Sequence, residues 1–200
     1  MDIDGAAVQA MLDKEAIREV SLRYTRGIDR HDADLLRSAY HADACDDHGA
    51  FIGSGADFVD YANRTHAQNW GTHQHHVTNQ LIDLDGETAH CESYFFAILK
   101  RSDSICDLVG GRYIDRIDKR SGVWAVADRI CMVEWNIEGR PGEAPLDPTL
   151  FVCGAWDRSD PSYRRPLRVE RAPRDLGLGQ RFASPVSHSP RRRPGTKGKP

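Results

Sequence analysis

The segment that decides the fold is residues 73–138, HQHHVTNQLIDLDGETAHCESYFFAILKRSDSICDLVGGRYIDRIDKRSGVWAVADRICMVEWNIE. Apolar and polar residues alternate along it with a period of two, which is typical of β-strands. The pattern predicts four long strands, over residues 73–85, 88–101, 104–119 and 123–138. Between them lie the short turn signals Asp85-Gly86, Ser102-Asp103 and Ser121-Gly122, which join antiparallel neighbours. We therefore expect an antiparallel meander, bent at Gly110-Gly111.

The segment before residue 73 has a helical pattern instead. Asp13 is a candidate N-cap for a first helix, in which apolar residues recur close to every 3.6 positions: Ala16, Ile17, Val20, Tyr24 and Ile28. Residues 33–40 and 57–67 predict two further helices, and residues 44–52 a short strand. Helices grouped before a sheet predict an α+β architecture in which the helices cover one face of the sheet.

The composition favours one globular domain, since 40% of the 200 residues are hydrophobic and 28% are charged. No apolar run approaches the roughly 20 residues that span a bilayer, and the N-terminus lacks the pattern of a signal peptide. We therefore expect a cytoplasmic protein with no membrane partner. Its five cysteines form no CxxC pair, which favours reduced thiols over disulfides or a thiolate zinc site.

The C-terminal segment differs from the rest in charge. Residues 158–200 contain twelve Lys or Arg, three acids and seven of the ten prolines. We predict a domain over residues 1–157 and a basic, Pro/Arg-rich disordered tail over residues 158–200. The cluster Arg191-Arg192-Arg193 could bind a polyanion, but it has no aromatic interleaving, so we expect a solvated extension and no nucleic-acid partner.

Three positions, His75, Arg129 and Asp29, favour acid–base chemistry. Strand alternation places His75 on the same face as Val77, and Arg129 in phase with inward-facing residues of the last strand. Asp29 lies near the end of the first helix, where a carboxylate is unfavourable beside the helix dipole. An aspartate beside a histidine is the minimal general-base unit and needs no metal. The alternative is a capping aspartate and a hydrogen-bonded core histidine.

A set of short motifs, in this order and spacing, resembles the SnoaL-like branch of the nuclear transport factor 2 superfamily. The motifs are Asp13-Lys14-Glu15-Ala16-Ile17, Tyr24 with Asp29 and Asp32, Tyr40-His41-Ala42-Asp43-Ala44, His75-His76-Val77-Thr78-Asn79, and Gly122-Val123-Trp124 before Asp128-Arg129. The resemblance implies a conical α+β barrel, in which three helices close a strongly curved antiparallel sheet around an apolar pocket. It also implies a homodimer or homotrimer.

The resemblance further implies roles for individual residues. His75, rather than His73 or His76, would be the base, and Asp29 would orient it. Tyr24 would polarise an acceptor oxygen or assist the leaving group, and Arg129 would stabilise an anion or anchor Asp29. The pocket would be lined by Tyr40, His48, Tyr61, Trp70, Phe96 and Trp135, although aromatic residues at such positions are also common in cores.

We therefore expect a cofactor-independent lyase of the dehydratase type that acts on a small apolar ring compound. Alternatives are an isomerase or polyketide-type cyclase with the same dyad, or a noncatalytic binding or assembly module such as a dioxygenase β-type subunit. A metal site would require His73 and His75 with ligands from Asp46, Asp47 or His48, and we expect none.

Overall fold

The computed structural model describes residues 4–103, 105–140 and 152–174. Its helices are α1 (Gly5–Arg30), α2 (Ala33–Arg37) and α3 (Gly55–Asn69). Its strands are β1 (Tyr40–Asp47), β2 (Ile52–Ser54), β3 (Thr72–Asp85), β4 (Thr88–Lys100), β5 (Cys106–Arg120) and β6 (Val123–Gly139). The α+β class and the four long strands are confirmed.

Helix α1 begins earlier than predicted. Asp4 is the N-cap, and its side chain accepts a hydrogen bond from the backbone N–H of Ala6. Asp13 does not cap the helix, because its carboxylate accepts hydrogen bonds from Lys119 Nζ and Trp124 Nε1, each at 2.8 Å. The first turns are mostly exposed, and their apolar residues Val8, Met11 and Leu12 do not pack in the core.

The sheet has the strand order β2-β1-β6-β5-β4-β3. Strands β3 to β6 form the predicted antiparallel meander. Strand β1 runs parallel to β6, so the sheet is mixed and not closed, rather than wholly antiparallel. The single strand expected over residues 44–52 is two strands, β1 and β2, which pair antiparallel around a turn in which Gly49 has a φ of 71°.

The core lies between the helices and one face of this sheet. It includes Ile17, Val20 and Ile28 of α1, Phe58, Val59 and Ala62 of α3, and Phe95, Ile117 and Val126 of the sheet. Gly27 permits the close approach of α1 and α2, because a Cβ there would lie 2.6 Å from the backbone nitrogen of Leu36. This approach fixes where α1 ends, and therefore where Asp29 lies.

Among the irregularities of the sheet, two change the predicted facing of side chains in β3 and at the far end of β6. One lies in β3 between Thr78 and Gln80. Simple alternation from His75 would place Leu81 on the inner face, but Leu81 is 70% exposed and Ile82 is 5% exposed. The other lies where β5 passes Gly110 and Gly111, whose partners are Trp135 and Val133. The glycine pair is therefore an irregular site, as predicted, and it moves Trp135 off the inner face.

Residues 152–164 belong to the folded unit, which extends to Arg164 rather than ending at residue 157. Asp160 is buried, and the hydroxyl of Tyr163 donates to Asp32 Oδ2 at 2.8 Å. Residues 175–200, which hold most of the predicted disordered tail, lie outside the described residues. None of the five cysteines, all of which lie among the described residues, forms a disulfide. Among the described residues, no helix has the length and apolar character of a membrane span.

Candidate active site

A cavity of about 240 Å³ lies between α1, α3 and the inner face of the sheet. Its apolar wall includes Ile28, Phe58, Ala62, Phe95, Leu99 and Val109, and its polar side chains include Tyr24, His48, His66 and His75. A cavity of roughly 150 Å³ holds benzene. The available space therefore fits one substituted ring.

The structure brings Asp29 and His75 together. Asp29 Oδ1 lies 2.7 Å from His75 Nδ1, and Asp29 Oδ2 accepts the backbone N–H of His75 at 2.9 Å. An ionised carboxylate only accepts hydrogen bonds, so Nδ1 of His75 carries a proton. In the neutral ring, Nε2 is then an unprotonated acceptor on a side chain that lines the cavity. This is the arrangement that a general base requires.

His73 makes a second contact with the same carboxylate. Its Nδ1 lies 3.1 Å from Asp29 Oδ1, and the side chain is fully buried. Its Nε2 lies 3.2 Å from both His31 Nε2 and His66 Nδ1, and Trp156 stacks on His31 with ring centroids 3.9 Å apart. The base candidate thus lies beside an array of imidazoles. Sequence reasoning did not find His66, whose helical position carries no signal of this contact.

The cluster shifts the pKa values of its members. Burial alone would raise the pKa of Asp29, but hydrogen bonds from His73 and His75 lower it to about 2. Burial lowers the pKa of His66 to about 2, with the neighbouring imidazoles adding to the shift. Burial and His73 likewise lower the pKa of His31 to about 4. At neutral pH, Asp29 is ionised while His31 and His66 are uncharged.

Asp29, His73 and His75 also form a possible metal-binding set, since their ligand atoms all lie within 4.8 Å of one another. A carboxylate and two imidazoles are ligands that divalent transition metals use. The further ligands that a metal site would require, from Asp46, Asp47 or His48, do not join this set, and Asp46 and His48 pair with each other. The hydrogen bonds described above occupy the Asp29 carboxylate and Nδ1 of both histidines.

A second carboxylate–imidazole pair lies beside Tyr24. Asp46 Oδ1 contacts His48 Nδ1, and His48 Nε2 lies 3.2 Å from the Tyr24 hydroxyl. The Tyr40 hydroxyl donates to Asp46 Oδ2 at 2.6 Å. Burial raises the pKa of Tyr24 above its usual value, while the charge of Arg129 acts in the opposite direction. Tyr24 is therefore a protonated hydroxyl and not a phenolate.

Arg129 is buried, but its partner is Asp115 rather than Asp29. Its Nε and Nη2 each lie 2.7 Å from a different oxygen of Asp115. The guanidinium also lies over the rings of Tyr24 and Tyr113, 4.2 and 4.3 Å from their centroids. Burial lowers the pKa of Arg129, but the charge of Asp115, the hydrogen bonds to that carboxylate and the neighbouring tyrosines together raise it well above its usual value. The expected anchoring of Asp29 by Arg129 is wrong.

The expected pocket residues divide into three groups. Tyr61, Trp70 and His48 line the cavity. Tyr40 is buried behind its wall, where the ring packs against Tyr24.

Phe96 and Trp135 do not reach the cavity. Both are register partners of Gly110, so all three share the outer face of the sheet. For Phe96 the cause is the alternation of β4, in which Phe95 and Ala97 point inward. For Trp135 the cause is the irregularity in β6, and its indole occupies the space that a Cβ of Gly110 would fill.

A family model described as a SnoaL-like domain matches residues 9–130. Because the match covers more than half of the chain, the protein belongs to the SnoaL-like family, within the nuclear transport factor 2-like superfamily. The resemblance inferred from the motifs is thereby confirmed. No curated protein matches the sequence.

Several solved structures share the fold. Hexachlorocyclohexane dehydrochlorinase LinA-type3 from Novosphingobium barchaimii LL02 aligns with a TM-score of 0.64 and 15% identity, over 70% of this chain and 99% of the other. A type 2 form of LinA gives 0.63 and 16%, over 71% and 97%. A Mycobacterium tuberculosis protein of unknown function gives 0.59 and 21%, over 65% and 76%. At these identities the likeness shows the fold alone.

Proposed function

We propose that this protein is a cofactor-independent lyase that removes a proton and a leaving group from a small, largely apolar ring compound. The observation that carries the proposal is the Asp29–His75 pair, whose imidazole lines an apolar cavity of about 240 Å³. The superfamily includes lyases, such as the dehydrochlorinase with the same fold. Fold alone does not determine function, so the proposal depends on the site.

The proposed reaction is an elimination across two adjacent carbons. His75 Nε2 takes a proton from a carbon made acidic by a neighbouring carbonyl or phenol. The C–H electron pair becomes the new double bond, and the bond to the leaving group breaks, so that the group departs with its electron pair. Asp29 holds the imidazole tautomer and stabilises the imidazolium that forms. The apolar wall excludes water, which strengthens these interactions.

Tyr24 and Arg129 have different parts in this scheme. Tyr24 lines the cavity and keeps its proton, so it can donate to an acceptor oxygen or to the leaving group. Arg129 does not line the cavity among the described residues. It is a positioning residue, since its guanidinium lies over the Tyr24 ring.

The test uses nitro-substituted benzisoxazole, a small fused ring whose base-promoted ring opening gives a coloured cyanophenol. In that reaction the ring C–H bond and the N–O bond break, a nitrile forms, and the oxygen leaves as phenolate. We expect turnover by the intact protein and a loss of roughly 100-fold or more in His75→Ala, because a positioned base contributes about that much. His76→Ala is the matched control, since His76 is exposed on the same strand and stacks on Phe96 outside the cavity. Equal rates in the two variants would contradict the proposal.

A second candidate function, an assembly module, is favoured by the outer face of the sheet. Leu81, Tyr94, Ile130 and Met132 are exposed there, beside the ion pairs of Arg112 with Glu92 and Glu134, and a surface that mixes exposed apolar and charged groups suits a protein contact. We propose that the protein forms a homodimer or homotrimer in which this face lies between the subunits. We also propose that it is located in the cytoplasm. Light scattering of Met132→Glu, which places a charge in the patch, should show smaller particles than the unchanged protein; identical masses would contradict the proposed interface.

An isomerase or cyclase would use the same dyad. Both begin with the same proton abstraction and differ from a lyase in where the electron pair of the anion goes. Product analysis of any substrate that is found distinguishes the three, because only a lyase releases a second fragment.

A further inference from the structure

We propose that Asp46 and His48 form a second proton-transfer pair, which acts through Tyr24 to protonate the leaving group. The inference rests on the proposed elimination and adds the general acid that protonates its leaving group. It also narrows the substrate class to ring compounds whose leaving group is an oxygen, such as a hydroxyl, alkoxide or phenoxide.

Asp46 is held in place by two partners, one on each carboxylate oxygen. Oδ2 accepts the hydroxyl of Tyr40 at 2.6 Å, and Oδ1 contacts His48 Nδ1. The side chain of Asp46 has 0% exposure, whereas that of His48 is 17% exposed and lines the cavity. His48 packs on Phe58 with ring centroids 4.2 Å apart, so its orientation is also constrained.

The hydrogen bonds of Tyr24 permit two proton arrangements. The Tyr113 ring packs edge-on against Tyr24, with ring centroids 5.5 Å apart. When His48 is neutral, its Nδ1–H points to Asp46, and its Nε2 accepts the hydroxyl proton of Tyr24. When His48 is an imidazolium, its Nε2–H donates to the Tyr24 oxygen, and the Tyr24 hydroxyl proton is free to point into the cavity. The second arrangement is a loaded general acid.

Proton transfer from this arrangement balances. The C–O bond of the substrate breaks, and the oxygen leaves with the electron pair. It takes the Tyr24 hydroxyl proton, and Tyr24 takes the Nε2 proton of His48. His48 ends neutral beside Asp46, while His75 ends protonated beside Asp29. Solvent exchange resets both imidazoles.

The two pairs come from distant parts of the sheet. His75 is on β3, at one edge, and His48 follows β1 near the other edge, with β6, β5 and β4 between them. Both side chains nevertheless line one cavity. The cavity therefore has a carboxylate–imidazole pair on each side, one for the base and one for the acid that an elimination with a poor leaving group requires. A halide needs no proton to depart, so this device would serve no purpose for halogenated rings.

The test compares two probes that differ in leaving group. Nitro-substituted benzisoxazole expels a stable phenolate, and unsubstituted benzisoxazole expels a much more basic one. We expect His48→Gln to slow the unsubstituted probe at least roughly tenfold more than the nitro probe, since acid assistance matters most for the poorer leaving group. Asp46→Asn should give the same pattern. The control is His41→Gln, because His41 lies on β1, as Asp46 does, and its Nε2 contacts the backbone oxygen of Asp118. This variant should change neither rate.

The outcomes separate the two proposals. If His75→Ala loses turnover but His48→Gln slows both probes equally or neither, the acid assignment is wrong and the base assignment stands. If His75→Ala leaves both rates unchanged, the proposed function is wrong and the inference falls with it.

A binding measurement tests the acid without turnover. Bound para-nitrophenol, whose colour reports its ionisation, should be ionised at a lower pH in the intact protein and in His75→Ala than in His48→Gln or Tyr24→Phe. An ionisation pH that is the same in all four proteins would overturn the assignment.

Discussion

Moderate acid should destabilise the fold through its buried imidazoles, and His66 is the residue that tests this most clearly. Burial and neighbouring imidazoles lower its pKa from 6.5 to about 2. Between these values the unfolded chain binds a proton that the folded chain does not, so the free energy of unfolding falls as the pH falls below about 6.5. Above that pH, the uncharged His66 causes no loss of the free energy of unfolding.

The magnitude follows from the two pKa values. Moving from about pH 7 to about pH 5 costs roughly 2 kcal/mol for a histidine with these values. His31, whose pKa is lowered to about 4, costs a similar amount, so the pair together should cost roughly 4 kcal/mol. Asp29 adds nothing in this range, because its pKa is already below it.

The assay is urea unfolding followed by tryptophan fluorescence at the two pH values. We expect His66→Gln to halve the loss of stability between them, because it removes one of the two titrating groups. His76→Gln, at an exposed position, should show the full loss. An undiminished pH dependence in His66→Gln would refute the assignment of a buried, uncharged imidazole at this position.

Three further predictions concern single contacts. Gly27→Ala should destabilise the protein by about 1–3 kcal/mol in thermal unfolding, because its Cβ would lie 2.6 Å from the backbone of Leu36; an unchanged Tm would contradict this. Arg129→Met should cost about 3–5 kcal/mol, since it leaves the carboxylate of Asp115 buried without its partner, and adding Asp115→Leu should recover part of the loss in urea unfolding. Asp29→Asn should flatten the stability profile between about pH 4 and pH 2: a carboxylate whose pKa is lowered to about 2 stabilises the fold above its unfolded value and loses that contribution as the pH falls. A profile as steep as that of the unchanged protein would argue against the Asp29 contacts.

The sheet could be predicted from the sequence because its information is local. Alternation and turn dipeptides define β3 to β6 residue by residue. The parallel pairing of β1 with β6 depends on contacts between distant segments, and alternation carries no information about direction. The irregularity in β6 is likewise invisible in the alternation, which is why Trp135 was expected on the wrong face.

The candidate site shows the same division. Asp29 and His75 lie far apart in the sequence, and only the family motifs indicate that they meet. The partners of Arg129 and His73 depend on which residues the curled sheet brings together, so Asp115 and His66 were missed. The contact between Asp46 and His48 is local, but the sequence indicates Asp46 only as a possible metal ligand. A carboxylate needs a partner of this kind when it is buried, and its burial cannot be read from the local sequence.

The central claim, that His75 abstracts a proton from a carbon in the cavity, is tested most directly by deuterium exchange into β-tetralone in D₂O, followed by NMR. The measurement detects proton abstraction whether the protein is a lyase, an isomerase or a cyclase. We predict that the intact protein and His76→Ala accelerate the exchange and that His75→Ala does not. If the intact protein exchanges deuterium no faster than His75→Ala, the account is wrong, and a binding or assembly role becomes the better explanation of the cavity.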